Sequence, residues 1–217
     1  MIVLGLTGSI GMGKTLVASF FRQFKIPVYD ADAVVRNLLS GHDKVFFSIA
    51  EHFPKVIKKG LIDRELLSNE VFCSRESLNL IENILHPIVQ EKKFNFLFNS
   101  LRQRKRIVVL EVPLLLEKNG STDCDGIIVV SAPDFVQRSR VLSRPGMTIE
   151  KLKFVLDQQL SDEEKRKKAD FIIHSGLGKR QSFCSTREII KIAKSWARYK
   201  SKWSSPYKLD LDERYVN

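Results

Sequence analysis

Residues 8–15 read Gly8-Ser9-Ile10-Gly11-Met12-Gly13-Lys14-Thr15, which fits the phosphate-binding pattern G-x-x-x-x-G-K-[ST]. The three glycines of this stretch allow backbone angles that a side chain disfavours, so successive N–H groups can turn inward around phosphate oxygens. Lys14 adds a positive charge near the outer phosphates, and the Thr15 hydroxyl suits a Mg²⁺ ion. A glycine-rich turn with a chance Gly-Lys-Thr is the alternative interpretation of this stretch.

The flanking sequence favours the phosphate-binding loop. Residues 2–6 (Ile-Val-Leu-Gly-Leu) form a short apolar run typical of a buried strand, and residues 15–24 are apolar at helical spacing. A helix that begins there points its positive N-terminus at the phosphates. We therefore predict that the nucleotide is bound by Gly8, Ser9, Ile10, Gly11, Met12, Gly13, Lys14, Thr15 and Leu16.

Composition is that of an ordinary globular chain. The 217 residues are 43% hydrophobic and 28% charged, enough for one α/β domain with a lid or insertion. The net charge of +11 suits a polyanionic ligand, either a nucleotide or a nucleic acid, or reflects a generally basic surface. Because the N-terminus lacks a basic leader and no run of about 18 apolar residues occurs, we expect a cytoplasmic protein that does not contact a membrane.

Strand and helix patterns alternate along the chain, which predicts a parallel sheet. The predicted strands are residues 2–6, 26–29, 107–111, 127–131 and 171–174. Helical patterns cover about 33–101, with interruptions at Pro54 and at His86-Pro87, then about 134–168 and about 181–200; the polar tail from Trp203 is expected to be partly disordered. This predicts one P-loop kinase domain over 1–217, with a five-stranded parallel sheet flanked by helices, a helical acceptor-binding excursion at about 33–104 and a lid at about 133–168.

Carboxylates end two of the predicted strands. Asp30 and Asp32 follow the second strand, at the edge of the sheet where ligands bind in α/β proteins. One of the two carboxylates can orient the proton of an attacking hydroxyl while the other caps the next helix, and Asp32 is the stronger catalytic candidate. Glu111 ends the third strand, where a carboxylate can lie near Mg²⁺, although a solvated strand end is the alternative.

Several other polar residues have both a functional and a structural interpretation. His86 precedes a proline and either faces the acceptor or is structural. Gln137, Arg140 and Arg144 share one face of a predicted helix, and the arginines either clamp phosphates or are simply solvated. The basic run at 165–168 is interpreted as solvated.

The order of these motifs resembles the dephospho-CoA kinase family from residue 2 to about residue 176. The P-loop alone is generic, but its combination with D-A-D, H-P, P-L-L and A-D at these separations is specific. Ser9 stands where the family usually has Gly, and Glu111 where Asp is common. The motif residues after the P-loop are Asp30-Ala31-Asp32 with Arg36, Gly60-Leu61-Ile62-Asp63-Arg64, Val71-Phe72, Leu85-His86-Pro87-Ile88, Val112-Pro113-Leu114-Leu115-Leu116-Glu117, Gln137 with Arg140 and Arg144, Gln158, and Ala169-Asp170-Phe171-Ile172-Ile173.

The resemblance implies a nucleoside-monophosphate-kinase-like fold and ATP-dependent phosphorylation of the ribose 3′-hydroxyl of dephospho-CoA, the last step of coenzyme A biosynthesis. Asp32 matches the family's catalytic aspartate. The expected site residues are catalytic Asp32, Lys14 and Arg140; substrate-binding Asp32, Arg36, His86, Pro113 and Leu114; and the Mg²⁺ ligands Thr15 and Glu111. ATP and Mg²⁺ are the expected cofactors.

A nucleoside or nucleoside-monophosphate kinase is the alternative enzyme, since it shares the core and differs in the acceptor pocket. A GTP-driven switch is disfavoured because the sequence contains no N-K-x-D motif. Nucleic-acid binding is suggested only by charge, so we expect no nucleic-acid partner. The sequence leaves the oligomeric state open, with a monomer as the expectation.

Overall fold

The computed structural model describes residues 1–41, 43–117, 120–196 and 209–210. The strands are β1 (Ile2–Thr7), β2 (Val28–Asp30), β3 (Ile57–Lys58), β4 (Leu61–Ile62), β5 (Ile107–Glu111), β6 (Gly126–Ser131), β7 (Phe171–His174) and β8 (Leu209–Asp210). The α-helices are α1 (Lys14–Gln23), α2 (Ala31–Gly41), α3 (Asp43–His52), α4 (Arg64–Cys73), α5 (Arg75–Arg102), α6 (Asp134–Leu142), α7 (Ile149–Asp157), α8 (Asp162–Lys167) and α9 (Lys179–Trp196). The chain divides into two compact units, one formed by Met1–Tyr29 and the chain from Ser100 onward, the other by Asp30–Asn99.

The first unit is built on a sheet with the strand order β2-β5-β1-β6-β7-β8 over the described residues. Strand β1 is central and pairs in parallel with β5 and β6, with Leu6 opposite Glu111 on one side and Ile128 on the other. β7 pairs in parallel with β6 and β8. The carboxyl ends of β1, β5 and β6 therefore meet at one edge, where α/β proteins bind their ligands.

The five predicted strands are confirmed, with small changes in their bounds. β2 begins at Val28 and not at residue 26, although the Pro27 carbonyl already accepts a hydrogen bond from the Val109 N–H at 2.9 Å. The sequence did not predict the sixth strand, β8, because a two-residue strand in a polar tail carries no periodic signal. The rest of the tail that was expected to be disordered lies outside the described residues.

Buried side chains on the sheet and on two helices form the core of the first unit. Helices α1 and α9 pack together, and Phe183 of α9 makes ring contacts with Phe20 and Phe24 at centroid distances of 5.4 and 4.9 Å. The core residues are Ile2, Leu4, Leu6, Val17, Ala18, Phe21, Ile107, Val109, Ile128, Val130, Phe171, Ile173, Ile189, Ile190, Ala193 and Trp196. Burying these apolar surfaces is the main force that holds α1, and with it the P-loop, against the sheet.

The second unit is helical, with the antiparallel hairpin β3–β4 that the sequence did not predict. Its own core is formed by Leu38, Val45, Ile49, Phe53, Val56, Leu67, Ile81 and Leu85. The predicted break at Pro54 is observed, because a 3₁₀ turn begins there after α3 ends.

The predicted break at His86-Pro87 is wrong. Helix α5 runs through Pro87 without interruption from Arg75 to Arg102. A proline removes one intrahelical N–H, and the carbonyl that this N–H would have paired belongs to Asn83. Asn83 and Pro87 are both exposed, so water can satisfy that carbonyl, while Ile81 and Leu85 keep the helix anchored in the core. No helix within the described ranges is long and apolar enough to cross a membrane.

Candidate active site

The P-loop connects β1 directly to α1 and is pressed against neighbouring elements at its glycines. Gly11 has φ +78°, and a Cβ at this position would lie 2.5 Å from Val141 Cγ2. Gly13 has φ +91°, and its Cβ would lie 3.1 Å from Ser175 Oγ. Both positions combine a left-handed backbone with close contact, so only glycine fits without strain. The loop is therefore fixed in shape by α6 on one side and by the segment after β7 on the other.

Helix α1 starts at Lys14 with Gly13 as its N-cap residue, which has no side chain to cap the helix. The positive end of the helix dipole thus lies at the P-loop, where an anion is stabilised. This arrangement agrees with the predicted binding of phosphates.

Glu111 is nearly buried at the end of β5, between two cations. Its Oε1 atom lies 4.0 Å from Lys14 Nζ, and its Oε2 atom lies 3.6 Å from Arg22 Nη2. The side chain is only 4% exposed, so the alternative of a solvated strand end is wrong. The two positive charges offset the cost of burying the carboxylate.

The loop that follows β5 is tied to the end of β1. The Val112 N–H donates to the Leu6 carbonyl at 3.0 Å, and the Thr7 hydroxyl donates to the Pro113 carbonyl at 2.9 Å. Pro113 and Leu114 are partly exposed beside these contacts. The predicted substrate-binding residues Pro113 and Leu114 therefore lie at the same sheet edge as the P-loop.

Arg140 reaches the P-loop from α6. Its Nη1 atom donates to Ser175 Oγ at 2.9 Å and to the Gly11 carbonyl at 3.4 Å, and its Nη2 atom donates to the Ser175 carbonyl at 3.0 Å. The Ser175 hydroxyl in turn donates to the Met12 carbonyl. Sequence reasoning did not select Ser175 as a site residue, and its position directly after β7 was the available signal. Arg144, on the same predicted face, is exposed.

Two glutamine side chains hold the backbone of Ile10 in the P-loop. The Ile10 N–H donates to Gln159 Oε1 at 3.1 Å, and Gln137 Nε2 donates to the Ile10 carbonyl at 2.8 Å. The motif resemblance pointed to Gln158, but Gln158 is an exposed C-cap residue of α7. Sequence alone could not distinguish two adjacent glutamines at the end of a helix.

The interpretation of the basic run 165–168 as solvated is wrong for its first residue. Lys165 has a fully buried side chain, and its Nζ atom lies 2.9 Å from Glu117 Oε1. The same Glu117 oxygen accepts a hydrogen bond from the Leu160 N–H at 3.0 Å. The other residues of the run, 166–168, are exposed as expected.

In the second unit, the two aspartates at the start of α2 have different surroundings. Asp30 Oδ1 accepts the Ala33 N–H at 2.8 Å, so Asp30 is the helix cap. Asp32 lies in the first turn of α2 and is exposed. Arg36, also exposed, places Nη2 at 4.0 Å from Asp30 Oδ2. His86 is exposed on α5, with its Nε2 atom 3.2 Å from Gln90 Nε2.

A P-loop at a parallel-sheet edge, with a buried carboxylate beside its lysine and an arginine against its backbone, defines a P-loop phosphotransferase. The model of the dephospho-CoA kinase family matches residues 2–178. The chain therefore belongs to the dephospho-CoA kinase family.

Curated relatives and solved structures agree with this assignment. The chain is 45% identical over 177 residues to a dephospho-CoA kinase of Bartonella quintana, covering 81% of this chain and 90% of the relative. It is 39% identical over 201 residues to that of Nitrobacter winogradskyi, covering 93% and 100%.

Among solved structures, TT1252 from Thermus thermophilus superimposes with a TM-score of 0.75 at 30% identity, covering 88% of this chain and 96% of that one. Dephospho-CoA kinase from Campylobacter jejuni has the same fold, with a TM-score of 0.60 at 24% identity and the same coverage.

Proposed function

We propose that this chain transfers the γ-phosphoryl group of ATP to the ribose 3′-hydroxyl of dephospho-CoA, giving coenzyme A and ADP. The family match over residues 2–178 carries the proposal. The intact P-loop supports it, because each of its fixed residues is present in a strand–loop–helix context. We also propose that the reaction takes place in the cytoplasm.

The P-loop residues 8–16 bind the phosphates of ATP in this proposal. Lys14 stabilises the negative charge on the phosphoryl group that is transferred. Arg140 adds a planar guanidinium at the base of the loop. The bond between the γ-phosphorus and the β–γ bridging oxygen breaks as the 3′-oxygen attacks, and ADP leaves with that oxygen.

The donor set at the sheet edge fits Mg²⁺. Thr15 supplies a hydroxyl and Glu111 a nearly buried carboxylate, both hard oxygen ligands. Within the described residues no cluster of three or more His, Cys, Asp or Glu forms a metal cage. This suits Mg²⁺, which keeps several waters and binds one or two protein oxygens together with substrate phosphates. When bound, the ion would neutralise charge that develops on the phosphates.

We propose a role toward the acceptor for five residues. Asp32 accepts the proton of the attacking 3′-hydroxyl, a role that its exposed carboxylate permits and that the capping carboxylate of Asp30 does not share. Arg36, His86, Pro113 and Leu114 bind dephospho-CoA in this assignment. We propose that the helical segment at about 33–104 is the acceptor-binding part of the chain.

We propose that the segment at about 133–168 serves as a lid that excludes water during transfer. Gln137, Arg140 and Val141 of α6 already contact the P-loop. The part that moves would then be the connection after α6 together with helix α7, from about 143 to 157.

A coupled ADP-release assay across dephospho-CoA, adenosine, AMP and CMP tests the proposal. We expect turnover with dephospho-CoA to exceed that with the other acceptors by orders of magnitude. Preferred turnover with adenosine, AMP or CMP would instead identify a nucleoside or nucleoside-monophosphate kinase. Mass spectrometry of the product should show one added phosphate on the 3′-oxygen.

A further inference from the structure

The main-chain N–H and carbonyl groups of Ile10 are each held by a side-chain amide. Gln159 Oε1 accepts its N–H, and Gln137 Nε2 donates to its carbonyl, at 3.1 and 2.8 Å. We infer that Gln137 and Gln159 are positioning residues that pre-organise the tip of the P-loop for the nucleotide. This inference rests on the proposed function only for its kinetic consequences, because the binding consequence requires no acceptor.

The surroundings of Ile10 show why the loop needs these contacts. A cavity of about 410 Å³ opens beside the loop, and its lining includes Ser9, Met12, Gln137 and Gln159. The loop therefore borders open space on this side. The two hydrogen bonds hold the two peptide units on either side of the Ile10 Cα atom, and they therefore restrict the rotation of both.

Gln159 is itself held in place, which distinguishes it from a mobile surface side chain. The next residue, Leu160, donates its N–H to Glu117 Oε1 at 3.0 Å, and Glu117 is paired with the buried Lys165. Ser161 then begins α8 with a capping box. The short connection between α7 and α8 is thus anchored on one side of Gln159, and its backbone cannot drift away from the P-loop.

Gln137 is held equally well. It lies in α6, is buried, and its main-chain carbonyl would be 3.0 Å from a Cβ at Gly11. Helix and loop therefore approach each other closely, and the Gln137 side chain lies within hydrogen-bond distance of the Ile10 carbonyl. The two glutamines come from different segments and bind the main-chain groups on either side of the Ile10 Cα atom, so they act as a clamp on the loop.

A triphosphate binds more tightly to a loop that is already ordered, because no conformational entropy is then lost in ordering the loop on binding. One net hydrogen bond of about 0.5–1.5 kcal/mol corresponds to about a two- to ten-fold change in affinity. Loss of either glutamine should weaken nucleotide binding by about that factor. Loss of both should weaken binding by less than the product of the single effects, since the two hydrogen bonds hold the same residue.

The test is direct titration of Mg–ATP and Mg–ADP by calorimetry, in the absence of any acceptor, for Gln159→Ala, Gln137→Ala and the double variant. Gln158→Ala is the matched control, because Gln158 is the adjacent glutamine at the end of α7 and is exposed. Gln137→Met keeps about the same buried volume and removes the side-chain amide, in case Gln137→Ala fails to fold. We expect a two- to ten-fold weaker Kd for the Gln137 and Gln159 variants and an unchanged Kd for Gln158→Ala.

Amide hydrogen exchange of Ile10 gives a second, independent measurement. In the nucleotide-free protein, the Ile10 N–H should exchange faster in Gln159→Ala, whereas Gln159→Glu, which keeps an acceptor oxygen, should preserve its protection. In the kinetic assay, the KM for ATP should rise while the KM for dephospho-CoA stays constant. Wild-type Kd values in both single variants, or equal exchange of Ile10 in Gln159→Ala and wild type, would overturn the inference. Wild-type protein that binds nucleotide but does not phosphorylate dephospho-CoA would overturn the proposed function instead.

Discussion

Lys165 Nζ lies 2.9 Å from Glu117 Oε1, and no part of the lysine side chain is exposed to solvent. The pair joins the end of the loop after β5 to helix α8. Because the same carboxylate oxygen also accepts the Leu160 N–H, Glu117 fixes the connection that carries Gln159 to the P-loop.

Removal of one partner from this buried pair should be strongly destabilising. Lys165→Met leaves a carboxylate with 11% exposure and no lysine, and we expect a loss of about 3–5 kcal/mol in the free energy of unfolding. Adding Glu117→Gln removes the charge but keeps an oxygen for the Leu160 N–H, so the double variant should recover stability. Urea denaturation measures the free energy of unfolding of the single and double variants. Lys167→Met, which breaks an exposed pair with Glu163, is the control. Equal stability of the single and double variants would contradict the argument.

Lys14→Ala should abolish phosphoryl transfer and leave the fold intact, because Arg22 still lies beside the buried Glu111 carboxylate. Its charge lies at the P-loop and 4.0 Å from the buried Glu111, so the variant loses stabilisation of the transferred phosphate where little water can replace it. Turnover in the ADP-release assay and circular dichroism check the two parts of this prediction. Near wild-type turnover with a normal spectrum would exclude the role.

Asp32→Asn should lower kcat by about 10²–10⁴-fold with little effect on ATP binding, because the amide keeps the shape but does not accept a proton as a carboxylate does. Asp30→Asn is the matched comparison. Asn is as good a helix cap as Asp, so the Ala33 N–H keeps its partner and both stability and turnover should change little. If Asp30→Asn is the more damaging substitution, the assignment of the pair is reversed. Initial rates and ATP titrations on both variants show which of the two aspartates is the catalytic one.

Arg140→Ala should lower kcat more than it raises the dissociation constant of ATP. Arg140→Lys should rescue it only in part, because the side chain uses two different nitrogens, one on the Ser175 hydroxyl and one on the Ser175 carbonyl. Single-turnover kinetics and nucleotide titrations separate the two effects. Full rescue by lysine would show that charge alone matters at this position.

Alkaline unfolding should depend on Tyr29. Burial in β2 raises the pKa of this phenol from 10 to about 12. The folded state therefore keeps the neutral phenol where the unfolded chain ionises it, so this contribution is fully present below pH 10 and is lost between about pH 10 and 12. The slope in that window is at most about 1.4 kcal/mol per pH unit. Tyr29→Phe has no ionisable group, so its stability should fall less steeply over the same window when measured by denaturant titration. If the free energy of unfolding falls equally steeply with pH in Tyr29→Phe and in the wild type, the raised pKa of Tyr29 is contradicted.

The sequence by itself determined the parts of this protein that depend on local pattern. The P-loop, its flanking strand and helix, and the positions of five parallel strands along the chain follow from glycine spacing and apolar periodicity, which act over a few residues. The position of Glu111 at the end of a strand follows from the same pattern, whereas its burial beside Lys14 is known only from the structure.

Only the tertiary structure decided which polar residues meet across long sequence separations. Lys165 lies in a basic run that the charge pattern predicts to be solvated. Its burial depends on Glu117, 48 positions earlier in the chain. Gln159 and Gln158 are equivalent by pattern, and the choice between them is made by the helix geometry that turns one toward Ile10 and leaves the other exposed. Pro87 predicts a helix break locally, yet the buried apolar side of α5 outweighs the loss of one N–H. In each case a long-range contact, formed when the chain packs, overrode what the neighbouring residues favoured.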